Sequence, residues 1–355
     1  MKLDSVLTVR AGARAAARIA AAGLQPGDID IVPGAAGGPK GLALAALDRE
    51  ILVRWLPQAP RLRHLVGASI GAWRFAAACR AEPARALEAF TRRYIEQSYP
   101  ARPSRRFVSD WAGAALAALF EGREDEVLSS ERYALHVLTV RGRWPLTREG
   151  RRVALGFGAA ACANVLGRRH LARFIDRVVF HDARAKLPFP PCFDAFATHE
   201  VALTRENLRP ALLASASIPL VLEGVTDIPG APPGVYWDGG IIDYHLHLPY
   251  ASSPGLVLYP HFSERIVPGW LDKAMPWRHA RGPWLDNVVL LAPSREFLAT
   301  LPNGKLPDRG DFHRYARDDA ARMRDWRRAM SECERLAEAF YAFVERPDPS
   351  KVGTL

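Results

Sequence analysis

The sequence predicts an α/β fold built on a mainly parallel sheet, and three observations point there. Two strand-turn-helix units follow one another early in the chain, at DIDIVPGAAGGPKGLALAALDREILVRWL and RLRHLVGASIGAWRFAAACRAEP, and successive βα units lay their strands in parallel. Further apolar or β-branched stretches at Tyr133–Val140, Arg177–Phe180, Gly234–Trp237, Gly255–Tyr259 and Asn287–Leu291 supply enough material for a sheet of about six strands. The chain has 355 residues, of which 49% are hydrophobic and 24% charged, the balance of a folded protein with one large core.

Taken in order, residues 1–28 are expected to be an N-terminal helix, with Arg10, Arg14 and Arg18 recurring every four residues along one face. The same arginines interrupt the apolar run that a secretion signal would need. In the first βα unit a short strand leads through a glycine-rich turn to a helix with Leu42, Ala46 and Leu47 on its apolar face. In the second, Leu62–Val66 is the strand, Gly67–Gly71 a sharp turn, and a helix runs from Ala72 towards Pro83. More helices are expected over 84–97, 110–128, 158–175 and 205–216, with the Pro-rich pieces LPFPPCF and IPGAPPG as irregular connections. The apolar run Val153–Leu166 is broken by glycines and Asn164 and is too short to span a membrane. The clearest periodic element comes last: Ala320, Met323, Trp326, Met330, Cys333, Leu336, Phe340 and Val344 keep the three-and-four spacing of a helix with one buried face. The expected organisation is an N-terminal helix (1–28), a main domain (29–300) and a C-terminal amphipathic helix (310–346) packed on that domain.

The formal charge of +10 attracts anionic partners, but no recognition helix or zinc-finger pattern accompanies it, and no nucleic-acid partner is expected. Cys79, Cys162, Cys192 and Cys333 are scattered without a CxxC pair, which argues against a disulfide framework or a zinc site and for a reducing, cytoplasmic setting. The expected location is cytoplasmic, with peripheral contact at a membrane as the variant of it.

Three segments carry chemistry. Gly67-Ala68-Ser69-Ile70-Gly71 matches the G-x-S-x-G elbow, in which flanking glycines allow a strained turn that lifts a nucleophilic serine to the top of a sheet; a tight turn with an incidental serine is the plainer alternative. Gly34-Ala35-Ala36-Gly37-Gly38-Pro39-Lys40-Gly41 fails as a phosphate loop, because no Ser or Thr follows Lys40, and fails as a dinucleotide fingerprint. Its unhindered amides at Gly37 and Gly38 are suited to a developing oxyanion, whereas Pro39 has no N–H to give. Trp237-Asp238-Gly239-Gly240 sets a carboxylate at a strand end, a pattern that in isolation is turn chemistry.

Together and in this order, Gly37-Gly38-x-Lys40-Gly41, Gly67-x-Ser69-x-Gly71 and Asp238-Gly239-Gly240 resemble the patatin-like phospholipase family, and Ala214-Ser215-Ala216-Ser217-Ile218-Pro219 is similar to that family's segment ahead of its catalytic aspartate. The resemblance covers about residues 29–250. It implies a three-layer α/β/α domain with a mainly parallel central sheet, here with extra helices at both termini. It also implies a serine acyl hydrolase working on lipid carboxylic esters, of phospholipase A or lysophospholipase type, with no cofactor and no metal. Residue by residue, Ser69 would be the nucleophile, Asp238 its partner in a Ser-Asp dyad, Gly37 and Gly38 the oxyanion donors, Lys40 and Gly41 the residues that order their loop, and Gly67 and Gly71 the elbow glycines. Two departures stand out: Ala36 replaces the first of three usual glycines, and the run IIDYHLHLP after Gly240 is longer than the family's.

A dyad needs an aspartate whose proton affinity is raised, and burial is the expected means. Competing readings are an acyltransferase or non-lipid esterase on the same nucleophile, a lipid-surface binding protein with a degenerate site, and a Ser-Asp-His triad using His245, His247 or His261. Against the triad, an elbow as early as residue 69 leaves few strands before it. Asp243-x-His245-x-His247 also has the spacing of a weak metal site. Finally, Trp270, Trp277 and Trp284 stand among Lys273, Arg278, His279 and Arg281, which suits a lipid-water interface and, slightly better, a loop pinned by buried tryptophans.

Overall fold

The computed structural model of the chain describes residues 5–100, 102–150, 153–316 and 318–355. Its centre is a mostly parallel sheet flanked by helices, with eleven strands among the described residues. In chain order the strands are β1 (Leu7–Ala11), β2 (Ile29–Gly34), β3 (Arg63–Ala68), β4 (Tyr133–Gly142), β5 (Ile175–His181), β6 (Thr198–Ala202), β7 (Val225–Thr226), β8 (Val235–Asp238), β9 (Leu256–Pro260), β10 (Val288–Pro293) and β11 (Val352–Thr354). Spatially they run β11-β1-β10-β9-β2-β3-β4-β5-β6, with β8 also paired to β4 and β7 to β8. The central neighbours β10, β9, β2, β3 and β4 are parallel. Every residue of β2, β9 and β10 is buried, as expected where helices cover both faces of a parallel sheet.

Each strand expected from the sequence is present, and the sheet is wider because it also takes β1, β6, β7 and β11. Of the expected helix over 1–28, residues 1–4 lie outside the described residues, and residues 5–28 do not form one helix. Leu7–Ala11, alternating buried and half-buried, is a strand antiparallel to β10, and the helix spans only Ala13–Ala22. The alternation of Leu7, Val9 and Ala11 with Thr8 and Arg10 has period two, which favours a half-buried strand over a helix. Arg10 therefore does not share a helical face with Arg14 and Arg18; it pairs with Glu264 at 2.9 Å, and Arg18 with Asp28 at 3.0 Å. Near the other end, Asp311–Arg314 is a short helix and Asp319–Glu345 a long one burying Trp326, Cys333, Leu336 and Phe340, after which β11 pairs with β1.

Three helical expectations change in detail. The helix expected over 110–128 is split into Arg105–Phe120 and Asp125–Leu128. The run after β2 begins as a 3-10 turn, Gly38–Leu44, passes through a short α-helix, Ala45–Asp48, and continues as a π-helix, Arg49–Trp55; Leu42, Ala46 and Leu47 are buried as their spacing required. The helix expected over 158–175 lies at Val153–Leu166, because Gly167, with φ 154, ends it and residues from Ile175 onward join the sheet.

Strand β4 organises the region that matters for chemistry. Along one edge, residues 133–138 pair with β3 in parallel, and residues 139–141 pair with β8 running the opposite way. The other edge is taken by β5. Strands β3 and β8 therefore approach each other tip to tip along the same edge, Ala68 opposite Leu138 and Asp238 opposite Thr139. The residue that follows Ala68 is Ser69.

Candidate active site

That register delivers a buried serine to a buried carboxylate. The Ser69 hydroxyl donates to Asp238 Oδ2 at 2.8 Å, and both residues are buried. Ser69 sits between β3 and the helix Ile70–Ala78 with φ 55 and ψ -129, a conformation that costs a non-glycine residue of order 1–3 kcal/mol and persists only where the surroundings over-determine it. Here they do. A Cβ on Gly67 would lie 2.5 Å from the Ala72 nitrogen, and one on Gly71 would overlap the Gly34 carbonyl, so the turn is as tight as its two glycines allow. Farther along the same helix, Arg74 forms a two-pronged buried ion pair with Asp48, 2.6 Å on each side, which ties the helix after the serine to the helical run after the glycine-rich loop.

Asp238 is held from three directions. Its N–H donates to the Ser217 carbonyl at 2.9 Å, its Oδ1 accepts from the Gly240 amide at 2.7 Å, and its Oδ2 accepts from Ser69. Burial raises its pKa to about 6, against the lowering effects of the Gly240 amide, the Arg309 charge and the serine bond. This is the direction a proton acceptor needs, since a carboxylate at its ordinary value would hold a proton too weakly. Gly239 is required by close approach: a Cβ there would run into the Leu138 carbonyl.

The glycine-rich loop lies beside the pair. Gly38, Pro39, Ser69 and Ile70 line one cavity. Gly37 precedes and Gly38 opens the 3-10 turn Gly38–Leu44, at the helix start where N–H groups have no acceptor within the helix. Neither position admits a side chain freely: a Cβ on Gly37 would be 2.5 Å from the Phe262 ring, and Gly38 has φ 55 with Arg309 Nε 3.1 Å from the Cβ position. Gly41 lets the loop close on the residue after the serine, a Cβ there being 2.9 Å from the Ile70 side chain. Lys40 lies with its ammonium 5.7 Å from the centre of the Phe262 ring. The two departures from the family pattern meet: the Ala36 N–H donates to the Tyr244 carbonyl at 2.9 Å, so the long run after Gly240 takes up the amide of the residue that replaces a glycine, leaving Gly37 and Gly38.

The cavity at Ser69 has a volume of about 360 Å³. Its walls are mostly apolar and aromatic: Trp73, Tyr94, Tyr99, Val108, Trp111, Ile218, Val221, Leu222 and Phe312. Such a lining suits an apolar ligand.

The histidines stand elsewhere. Among the described residues none of His245, His247 and His261 hydrogen-bonds to Ser69 or Asp238. His245 Nδ1 accepts from the Val267 amide at 3.0 Å, His261 Nδ1 accepts from the Ser263 amide at 2.9 Å, and His247 packs on Trp284. Burial holds His245 well below its ordinary pKa and lowers His247 and His261 to about 4 and about 3, which favours the neutral ring. Asp243 has both oxygens taken by Arg177, at 2.7 and 2.9 Å, and among the described residues no cluster of His, Cys, Asp or Glu has a metal-ligating arrangement. The tryptophan segment is also unlike a buried pin: Trp270 and Trp277 are exposed, and Trp284 is half-buried.

Some residues at the site carried no signal in the sequence. Ser215 accepts the Ser69 N–H at 2.8 Å and donates to the Leu138 carbonyl at 2.7 Å, bridging serine turn and sheet; only its place in the Ala214–Pro219 segment hinted at it. Arg309, whose charge bears on Asp238, lies in no motif, and Lys273, whose charge also does, was marked only by its place in the tryptophan segment. Lys273 sits 4.2 Å from the Tyr244 ring centre, and burial together with the charges of Lys40 and Arg309 lowers it to about 8.

The fold and site define an α/β protein with a serine on a tight strand-to-helix turn, bonded to a buried aspartate beside an apolar cavity. A family model described as patatin-like phospholipase matches residues 35–245, and the chain belongs to that family. Membership implies lipid acyl hydrolase activity. No curated protein sequence matches the chain.

Proposed function

We propose that the protein is a serine acyl hydrolase that cleaves lipid carboxylic esters through an acyl-enzyme formed on Ser69, with Asp238 as its only protein base. The observation that carries this reading is the 2.8 Å bond from the Ser69 hydroxyl to a carboxylate whose pKa is raised to about 6. As Ser69 Oγ attacks the ester carbonyl, its proton passes to Asp238 Oδ2. The carbonyl oxygen becomes an oxyanion facing the Gly37 and Gly38 amides, which stabilise charge that exists only in the transition state and intermediate. Collapse returns the proton to the leaving alkoxide and leaves the acyl group on Ser69. Water then repeats the sequence: it gives a proton to Asp238 as it attacks, and the departing Ser69 oxygen takes that proton back. The apolar cavity holds the acyl chain.

The test is labelling with a fluorophosphonate, which reacts with an activated serine without requiring the natural substrate, followed by peptide mapping. Modification of Ser69 is expected, with labelling and ester hydrolysis both lost in Ser69→Ala and reduced by at least about 1000-fold in Asp238→Asn. Label on another residue, or full hydrolysis by either variant, rejects the dyad.

A further inference from the structure

The helix Val153–Leu166, whose one polar residue, Asn164, is buried, lies on the surface. Val153, Gly156, Ala160 and Asn164 are its buried stripe. The opposite stripe, Leu155, Ala159, Cys162 and Leu166, keeps the same helical spacing and is exposed. Leu155 and Leu166 are 76% and 78% exposed, and the indoles of Trp144 and Trp277 beside them are 82% and 76% exposed. Trp277 is brought there by its neighbour Arg278, which donates to the carbonyls of Asn164 and Val165 at 2.6 and 2.9 Å. A soluble surface rarely leaves such a patch without a use.

The charge around it selects the occupant. Between Arg141 and Arg173 the chain holds eight arginines and a single acid, Glu149; that acid is paired with Arg105 at 2.7 Å, Arg141 and Arg143 pair with Asp176 and Arg168 with Asp272, and Arg148, Arg169 and Arg173 are the arginines of this stretch that, among the described residues, face no acid. A second copy of a chain with net charge +10 would bring like charge against like charge. An anionic lipid layer offers what both parts require: acyl chains for the leucines, headgroup depth for the indoles and phosphates for the arginines. The helix is 14 residues long, about 21 Å, and no helix among the described residues is long and apolar enough to cross a membrane.

The patch is linked to the wall of the Ser69 cavity. Arg105 donates to the carbonyl of Leu222, a residue of the cavity wall, while pairing with Glu149 ahead of the helix. Phe157 of the helix packs edge-on against Trp237, 5.4 Å between ring centres, one residue before Asp238. We propose that the face formed by Val153–Leu166 with Trp144 and Trp277 docks the protein onto an anionic lipid surface, with the helix in the headgroup plane and the cavity mouth turned towards the lipid.

The experiment is co-sedimentation of Ser69→Ala protein with phosphatidylcholine vesicles, with and without phosphatidylglycerol. Using the serine variant keeps binding separate from hydrolysis, so failure of the proposed reaction leaves this result readable. Partition is expected only with the anionic vesicles, falling with salt, and weakened by at least about ten-fold in Leu155→Asp/Leu166→Asp and separately in Arg148→Glu/Arg169→Glu. All four positions are exposed, so thermal melting should match the parent. Unchanged partition in both double variants overturns the proposal. So does a dimer in sedimentation velocity that Leu155→Asp/Leu166→Asp converts to monomer, which would make the face a contact between copies.

Discussion

At Asp238 the proposed mechanism sets the demands of catalysis against those of stability. Its pKa is raised from 3.8 to about 6 by burial, so between those values the folded chain holds a proton that the unfolded chain has released, and stability falls as pH rises through this window. In the proposed mechanism activity requires the ionised form and rises over the same range. The pH dependence of kcat/KM for the free enzyme is therefore expected to climb to a plateau with an apparent pKa of about 6; a profile flat from pH 5 to pH 8 would show that another group takes the proton. Asp238→Asn should be inactive but more stable than the parent at pH 8, by about 1–3 kcal/mol, with the difference vanishing near pH 4. Urea titrations at the two pH values measure this directly, and a variant less stable at pH 8 would contradict the assigned cause. Ser215 makes a second residue-scale case, because its hydroxyl bonds both the Ser69 N–H and the Leu138 carbonyl. Ser215→Ala leaves a buried donor without its acceptor, which costs about 1–3 kcal/mol, and relaxes the turn. A fall in kcat of about ten-fold or more with little change in KM is expected, together with a lower melting temperature; an unchanged kcat would make Ser215 a packing residue only.

At the scale of elements, the site is a product of close approach. The helix after Ser69 can lean on β2 only because Gly71 meets the carbonyl of Gly34 with nothing between them. Gly71→Ala should consequently destabilise the fold by several kcal/mol, with loss of soluble protein as the first sign. The control is Gly113, inside the helix Arg105–Phe120 with nothing within 4 Å of its Cβ position. Gly113→Ala should stabilise by about 0.5–1 kcal/mol, because alanine gives up less chain entropy in a helix; equal effects at the two positions would refute the steric argument. The same close approaches explain what the sequence could disclose. Glycines at 37, 38, 67, 71 and 239 leave a pattern because no other residue fits, so serine turn, loop and aspartate were all legible. Strands that owe their place to tertiary pairing were not: Thr198–Ala202 is polar and half-exposed, Val352–Thr354 has three residues, and both form because a neighbour's edge is open to them. Phe262, Lys273 and Arg309 reach the site from distant segments whose local composition says nothing about it.

Over the whole molecule, the pocket is completed by chain lying outside the residues that match the family. Arg309, Phe312 and His313 line it, whereas the match ends at residue 245. The long helix Asp319–Glu345 fixes that wall. Arg322 donates to the carbonyls of Ile95 and Gln97, Trp326 donates to Asp311 at 2.9 Å, and the Phe312 ring stands between Tyr99 and Trp326 at 5.4 and 5.6 Å. Gln97 and Tyr99 are themselves pocket residues, so one buried guanidinium joins the added helix to the opposite wall. Under the proposed mechanism this divides the labour: the family core carries Ser69 and Asp238, and the C-terminal segment shapes the cavity beside them. Phe312→Ala should then leave hydrolysis of a short ester within about two-fold of the parent, since no reacting group moves. For a long-chain ester it should lower kcat/KM by about five- to thirty-fold, the worth of roughly 1–2 kcal/mol of lost apolar contact. Measuring kcat/KM along a series of 4-nitrophenyl esters separates the two effects, and a uniform fall at every chain length would place Phe312 in the support of the dyad and not in the selection of substrate.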